Sequence, residues 1–254
     1  MRHIYSLVLT ILLTGCSVVD HAWLSDSQNI PEKAEKRNVI KATPMSGPAD
    51  KKSTEDSKVA LVGTKSLPIV PLNITPEVRR EIKRYTSKNR SCIQNALNNR
   101  KEHYDLMGEI FRNEGVPEEL INVAMLESQF NPRAKSSAGA RGMWQFMAGT
   151  GRIYGLKVSK KQDDRLNPLL STVAAAKHLK DLYNDFGDWH LALAAYNAGP
   201  GRIKRSLQKT GTDTFWEMSR KGDLSKETQD FVPRFIASAL IMGQPEQFGF
   251  NPVG

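Results

Sequence analysis

From about residue 72 onward, apolar residues recur at three- and four-residue intervals, and nowhere do they alternate with polar ones for the length of a strand. Helix starts are marked by chemistry as well as by period. In Thr75-Pro76-Glu77 a threonine caps, and the proline falls in the first turn, where its missing N–H has no partner to lose. Val116-Pro117-Glu118-Glu119 repeats the device, with two carboxylates at the positive end of the helix dipole. The pattern predicts helices over 76 to 87, 90 to 99, 101 to 114, 117 to 127 and 142 to 153. It continues with a long helix over 168 to 186, where Val173, Ala176, Leu179 and Tyr183 share a stripe, then 189 to 197, one after Pro200, and a last from 225 to 242. The small residues of Ala174-Ala175-Ala176 and Ala192-Leu193-Ala194-Ala195 predict helices in close contact. The expected fold class is all-α.

Upstream the pattern lapses. Residues 17 to 70 are rich in Lys, Glu, Asp, Ser and Pro, with too little apolar surface to offset chain entropy; Pro31 to Arg37 could form a transient helix. This stretch reads as a tether. Before it, the basic start Met1-Arg2-His3 leads into an apolar core, Leu7 to Leu13, too short to span a bilayer, and then Leu13-Thr14-Gly15-Cys16. The arrangement resembles a bacterial lipoprotein signal. It implies cleavage before Cys16, lipidation of that residue and, with Ser17 next, an outer-membrane protein facing the periplasm; an ordinary secretory signal is the alternative. The expected organisation is therefore a signal over 1–15, a lipidated Cys16 and flexible linker over 16–71, and a helical domain over 72–254.

A net charge of +9 and a pI near 9.5 suit nucleic acid, anionic lipid or an acidic polymer, or simply a solvated surface. Export removes nucleic acid from that set and leaves the cell wall and the membrane surface. Cys16 and Cys92 are the two cysteines. With Cys16 lipidated, no intramolecular disulfide is expected, and Cys92 reads as a small buried apolar residue.

Candidate chemistry centres on Glu127. It follows Ala124 by three residues and Leu120 by seven, on the apolar face that includes Ile121, so its carboxyl is aimed inward. Burial disfavours the charged form and can keep a glutamic acid protonated near neutral pH, ready to donate a proton to a leaving oxygen. The alternative is a structural glutamate paired with Arg133 or Arg141. Downstream, a stretch of small and glycine residues leads to Met143-Trp144-Gln145-Phe146, which reads as a cleft wall: glycines let backbone approach a ligand, and an aromatic beside an amide suits an acetamido sugar. The acidic residues Asp163 and Asp164 lie in a Lys-rich turn and read as a solvated loop; Asp188 and Glu227 are further candidates. The five histidines show no close ligand pair, the glycine-rich 139–151 stretch lacks the Gly-Lys-Ser ending of a phosphate loop, and no Gly-x-Ser-x-Gly elbow is present. No metal or organic cofactor is expected.

Glu127-Ser128-Gln129-Phe130, Ala134, Ser136, Gly139-Ala140, Gly142-Met143-Trp144-Gln145, Ala195-Tyr196-Asn197-Ala198-Gly199 and Glu227-Thr228 together resemble, in order, the motifs of the soluble-lytic-transglycosylase domain family, nearest its membrane-bound D type. The resemblance spans about residues 72 to 248. It implies a lysozyme-like helical domain that cleaves the β-1,4 bond between N-acetylmuramic acid and N-acetylglucosamine in peptidoglycan strands. A single glutamate, here Glu127, acts first as acid and then as base, and the sugar's own C6 hydroxyl closes a 1,6-anhydro ring. By the same resemblance Ser136 and Ser137, Met143, Trp144 and Gln145, Tyr196 and Asn197, and Glu227 line the substrate, with the tyrosine approaching the catalytic carboxyl. Phe231 stands where the family has tyrosine and is carried over as cleft wall only. No small peptidoglycan-binding repeat is present in this sequence, so wall affinity is expected to rest on the cleft and the basic surface. Two other readings remain: a hydrolytic muramidase on the same fold, and an inactive wall-binding lipoprotein.

Overall fold

The structure, a computed structural model, describes residues 67–251, so the signal, Cys16 and nearly all of the tether lie outside it. Its helices are α1 (Pro76–Thr86), α2 (Arg90–Arg100), α3 (Tyr104–Glu114), α4 (Val123–Ser128), α5 (Ala148–Ile153), α6 (Pro168–Phe186), α7 (Trp189–Ala198), α8 (Pro200–Thr210), α9 (Phe215–Arg220) and α10 (Lys226–Gly243). Extended pairing among the described residues is confined to isolated bridges such as Lys135 with Arg141 and Arg141 with Phe146. The all-α expectation holds.

Caps set the helix starts. Thr75 Oγ1 accepts from Val78 N at 3.3 Å, Asn167 Oδ1 from Leu170 N at 3.0 Å and Asp188 Oδ1 from Leu191 N at 2.8 Å. α10 packs against α1, α7, α4 and α2, and α6 lies along α7. Ala175, Ala176, Ala192 and Ala194 are fully buried, so the alanine runs do bring α6 and α7 together. Where α1 crosses α10, Glu81 and Asp230 are buried among cations: Arg84 Nη1 lies 3.5 Å from Glu81, and Lys226 Nζ lies 2.6 Å from Asp230. That cluster secures the first turns of α10, which carry Glu227.

Two helix expectations are corrected, and one helix was missed. The helix expected over 117 to 127 is a 3-10 turn, Glu118–Asn122, followed by α4. The helix expected from 142 starts only at Ala148, because Gly142 (φ 80°) and Gln145 (φ 48°) adopt left-handed backbone that a right-handed helix cannot run through. α9, capped by Thr214, was not legible in the period. Cys92 is buried, as expected.

Candidate active site

Glu127 ends the short α4. The chain leaves that helix through two successive non-glycine residues in the left-handed region, Gln129 (φ 54°) and Phe130 (φ 60°), with Gln129 N bonded to Met125 O at 2.9 Å and Phe130 N to Ala124 O at 3.1 Å. Such backbone costs about 1 to 3 kcal/mol per residue and persists where its surroundings enforce it. Here Phe130 is fully buried, and Asn99 Nδ2 donates to Gln129 O at 2.9 Å. The turn holds Glu127 at the helix end with its side chain 4 % exposed.

Among the described residues no arginine pairs with it. Arg141 lies 3.2 Å from Asp163, Arg133 is exposed, and Glu127 Oε2 is buried without a hydrogen-bond partner. The paired-glutamate alternative is therefore excluded. Burial pushes the Glu127 carboxyl up to about 8, and the nearby Glu227 carboxylate adds to the rise. At neutral pH the group is mostly a neutral acid.

The loop facing α4 is tightly folded. Ser128, next to Glu127, donates to Met143 O at 2.7 Å and accepts from Asn131 N at 3.1 Å, so it ties the loop to the helix end. Arg165, 5 % exposed, chelates Asp163 through Nε and Nη2, both at 2.8 Å, and through Nη1 holds Gly139 O and Phe146 O at 3.0 Å each. The Arg165 guanidinium in turn holds Asp163 below its usual carboxylate range. Asp164 is buried as well, accepting from Lys157 N at 2.8 Å. Thus Asp163 and Asp164 are not a solvated loop but a staple for the segment that carries the expected substrate contacts.

Within that segment, Ser136 Oγ accepts from Ala140 N at 2.9 Å, and Ser137 is exposed at the tip. Gln145 is 7 % exposed, its Nε2 bonded to Gly142 O at 2.7 Å. Met143 and Trp144 are fully buried, which corrects their reading as sugar contacts. Trp144 stacks on Phe111 at 5.6 Å and donates to Thr172 Oγ1 at 3.0 Å; it is a core residue whose ring supports the loop from behind.

From the opposite side, α7 supplies Tyr196 and Asn197. The Tyr196 hydroxyl donates to Trp144 O at 2.8 Å rather than to Glu127, although burial and the Glu127 carboxyl beside it both raise its pKa. Its ring rests on His178, 5.2 Å away. Replacing Tyr196 with phenylalanine should therefore lower stability by about 1 kcal/mol, read by urea denaturation, through loss of the bond to the loop. Asn197 Nδ2 donates to Glu227 Oε1 at 3.4 Å and its Oδ1 accepts from Thr228 Oγ1 at 2.9 Å. Phe231, one turn further along α10, is 7 % exposed, so only its edge reaches solvent. The structure thus gathers Glu127, Tyr196, Asn197, Glu227 and the 136–145 loop from distant parts of the chain. An opening of about 750 Å³ bounded by Asn98, His103 and Pro132 lies past the end of α4 and does not contain Glu127; the buried acid, not that opening, marks the site.

Residues 108–219 match the family model described as "Transglycosylase SLT domain". The chain carries a transglycosylase SLT domain. Glu127 through Asn197 fall inside the matched segment, while Glu227 and Phe231 lie beyond it. The chain is 34% identical over 176 residues to "Membrane-bound lytic murein transglycosylase D" of Escherichia coli, covering 67% of this chain and 38% of that protein. It is 40% identical over 143 residues to "Peptidoglycan transglycosylase gp16" of Escherichia phage T7, covering 53% of this chain and 10% of that one. This chain therefore spans well under half the length of these relatives. A solved structure of an inactive mutant of lytic transglycosylase Slt from Pseudomonas aeruginosa aligns over 57% of this chain and 24% of its own, at 28% identity and a TM-score of 0.47. Around the SLT domain's glutamate, the contributions of Ser128, Arg165 and Thr228 had no periodic signal in the sequence; only adjacency to Glu127, the Asp-x-Arg spacing and the Ser-x-x-Thr cap hinted at them.

Proposed function

We propose that this protein is a peptidoglycan lytic transglycosylase that cleaves the N-acetylmuramic acid β-1,4-N-acetylglucosamine bond without water. The observation that carries the proposal is Glu127: a buried acid, held at about 8, with an unpartnered oxygen, inside an SLT domain. In the first step Glu127 gives its proton to the glycosidic oxygen as the bond to C1 breaks. In the second, the resulting carboxylate takes the proton of the C6 hydroxyl as that oxygen bonds to C1, which leaves a 1,6-anhydro end and restores the acid. Ser136, Ser137, Gln145, Asn197 and Phe231 are the proposed sugar contacts, and the names of the relatives support peptidoglycan as substrate.

We also propose the expected organisation: a signal over 1–15, a lipid anchor at Cys16 with linker to residue 71, and the catalytic domain over 72–254, on an outer-membrane lipoprotein facing the periplasm. The "membrane-bound" name of the E. coli relative supports membrane attachment, and no helix among the described residues is long and apolar enough to cross a membrane. Intact mass of the membrane-extracted protein decides it: an added diacylglycerol and acyl chain support the anchor, and an unlipidated chain rejects it.

For the activity, the purified protein is incubated with sacculi and the products weighed. Anhydro-muramyl ends, one water lighter than reducing ends, are the expected outcome. Reducing ends would make it a hydrolytic muramidase, a reading that the nearness of a second carboxylate, Glu227, keeps in play. Binding without any product would leave the wall-binding reading.

A further inference from the structure

We propose that the Glu227 carboxylate, held by a relay of hydrogen bonds from the start of α10 through Asn197, is a working anion of the site that stabilises positive charge on the sugar ring, and that Thr228 is the positioning residue that anchors the relay. The inference rests on the transglycosylase reading but assigns Glu227 a role other than sugar contact. Its basis is a directed chain of hydrogen bonds. Ser225 caps α10, with Oγ accepting from Thr228 N at 3.2 Å and lying 2.9 Å from Thr228 Oγ1. Thr228, 3 % exposed, has one hydroxyl proton and gives it to Asn197 Oδ1 at 2.9 Å. The Glu227 carboxylate can only accept, so the Asn197 Nδ2 that lies 3.4 Å from its Oε1 must be the end turned to it, which leaves Oδ1 for the Thr228 hydroxyl. Were the amide reversed, an oxygen would face the carboxylate and repel it. Thr228 therefore anchors the far end of the amide that holds Glu227, with no hydrogen bond of its own to Glu127.

The charge so fixed lies where it matters. Glycoside cleavage passes through an oxocarbenium-like transition state, and an anion already in place costs no reorganisation when positive charge develops. The groups that face Glu127 are Tyr196 from α7 and Glu227 from α10; the cations of the loop side, Arg141 and Arg165, are committed to Asp163. His178 on α6 lies behind the Tyr196 ring and is driven down to about 4 by burial, so it brings no charge at neutral pH. Glu227 is thus the anion available, and its charge already acts on Glu127.

The test measures kcat, KM and the pH profile of product release from sacculi for Glu227→Gln, Thr228→Val and Thr228→Ser. It is paired with a carbon-13 NMR titration of the Glu127 carboxyl, which needs no turnover. Glu227→Gln should lower kcat by about tenfold or more with little change in KM, and shift the alkaline limb to lower pH, because a like charge has gone. Thr228→Val should move both readouts the same way by less, and Thr228→Ser, which keeps the hydroxyl, should restore them. A raised KM with an unmoved limb would return Glu227 to a sugar contact and overturn the proposal; so would a Thr228→Val protein indistinguishable from the unaltered one. If the unaltered protein forms no product, the function reading fails by itself. The NMR midpoint of Glu127 then still decides whether Thr228 aims Glu227.

Discussion

Glu127→Gln should abolish product formation and stabilise the fold at the same time. Glutamine has the same shape but no transferable proton, and proton transfer in such a step contributes about 10² to 10⁴ in rate, so activity should fall by at least that factor. The stability effect follows from linkage. The folded carboxyl is raised from 4.5 to about 8, so between those values the native state holds a proton that the unfolded chain has lost. Stability of the unaltered protein therefore falls as pH rises through that window, by up to about 1.4 kcal/mol per pH unit. The glutamine variant lacks this slope. The gap in Tm between variant and parent should be small near pH 4.5 and widen steadily toward pH 8. A gap that stays constant with pH would mean that Glu127 is not a buried acid without a cation, and the mechanism built on it would fall.

That pairing of function and strain explains what the sequence could and could not disclose. Helices α1, α6, α7 and α10 were legible because each is long enough for several turns of period and starts at a cap whose partner is three residues away. Glu127 was legible because its place on an apolar face implies burial, although the helix carrying it is split by a 3-10 turn. Trp144 was misread for a physical reason: an aromatic next to an amide looks the same whether its ring faces a sugar or Phe111, a partner 33 residues away on α3. The staple of Arg165 and Asp163 was invisible because its partners, Gly139 O and Phe146 O, are backbone atoms that any residue could supply. Likewise, the meeting of Asn197 with Glu227 depends on how α7 and α10 cross, a tertiary fact with no local pattern.

The staple carries the other large expected effect. A Cβ at Gly142 would stand 1.7 Å from Arg165 O, and Gly142 has φ of 80°. Gly142→Ala therefore meets backbone, not a flexible tip, and must push the loop off the Asp164–Leu166 turn. We expect a loss of about 4 kcal/mol or more by urea denaturation, a size reserved for a few mechanisms of which a backbone clash is one. Gly155→Ala is the control: its φ of 85° imposes similar strain, yet nothing lies within 4 Å of the added Cβ, so it should cost only about 1 to 2 kcal/mol. Arg165→Met removes the other half of the clamp, leaves Asp163 without its chelating partner, and should cost about 3 to 5 kcal/mol. Because both changes release the same loop, the double variant should lose less than the two separate losses added. Equal costs for Gly142→Ala and Gly155→Ala would show that the close approach to Arg165 does not hold the loop. Full additivity with Arg165→Met would show that the two residues act apart. With the loop released, Ser128 loses its hold on Met143 O and Gln145 its bond to Gly142 O, so either single variant that still folds should also lose activity.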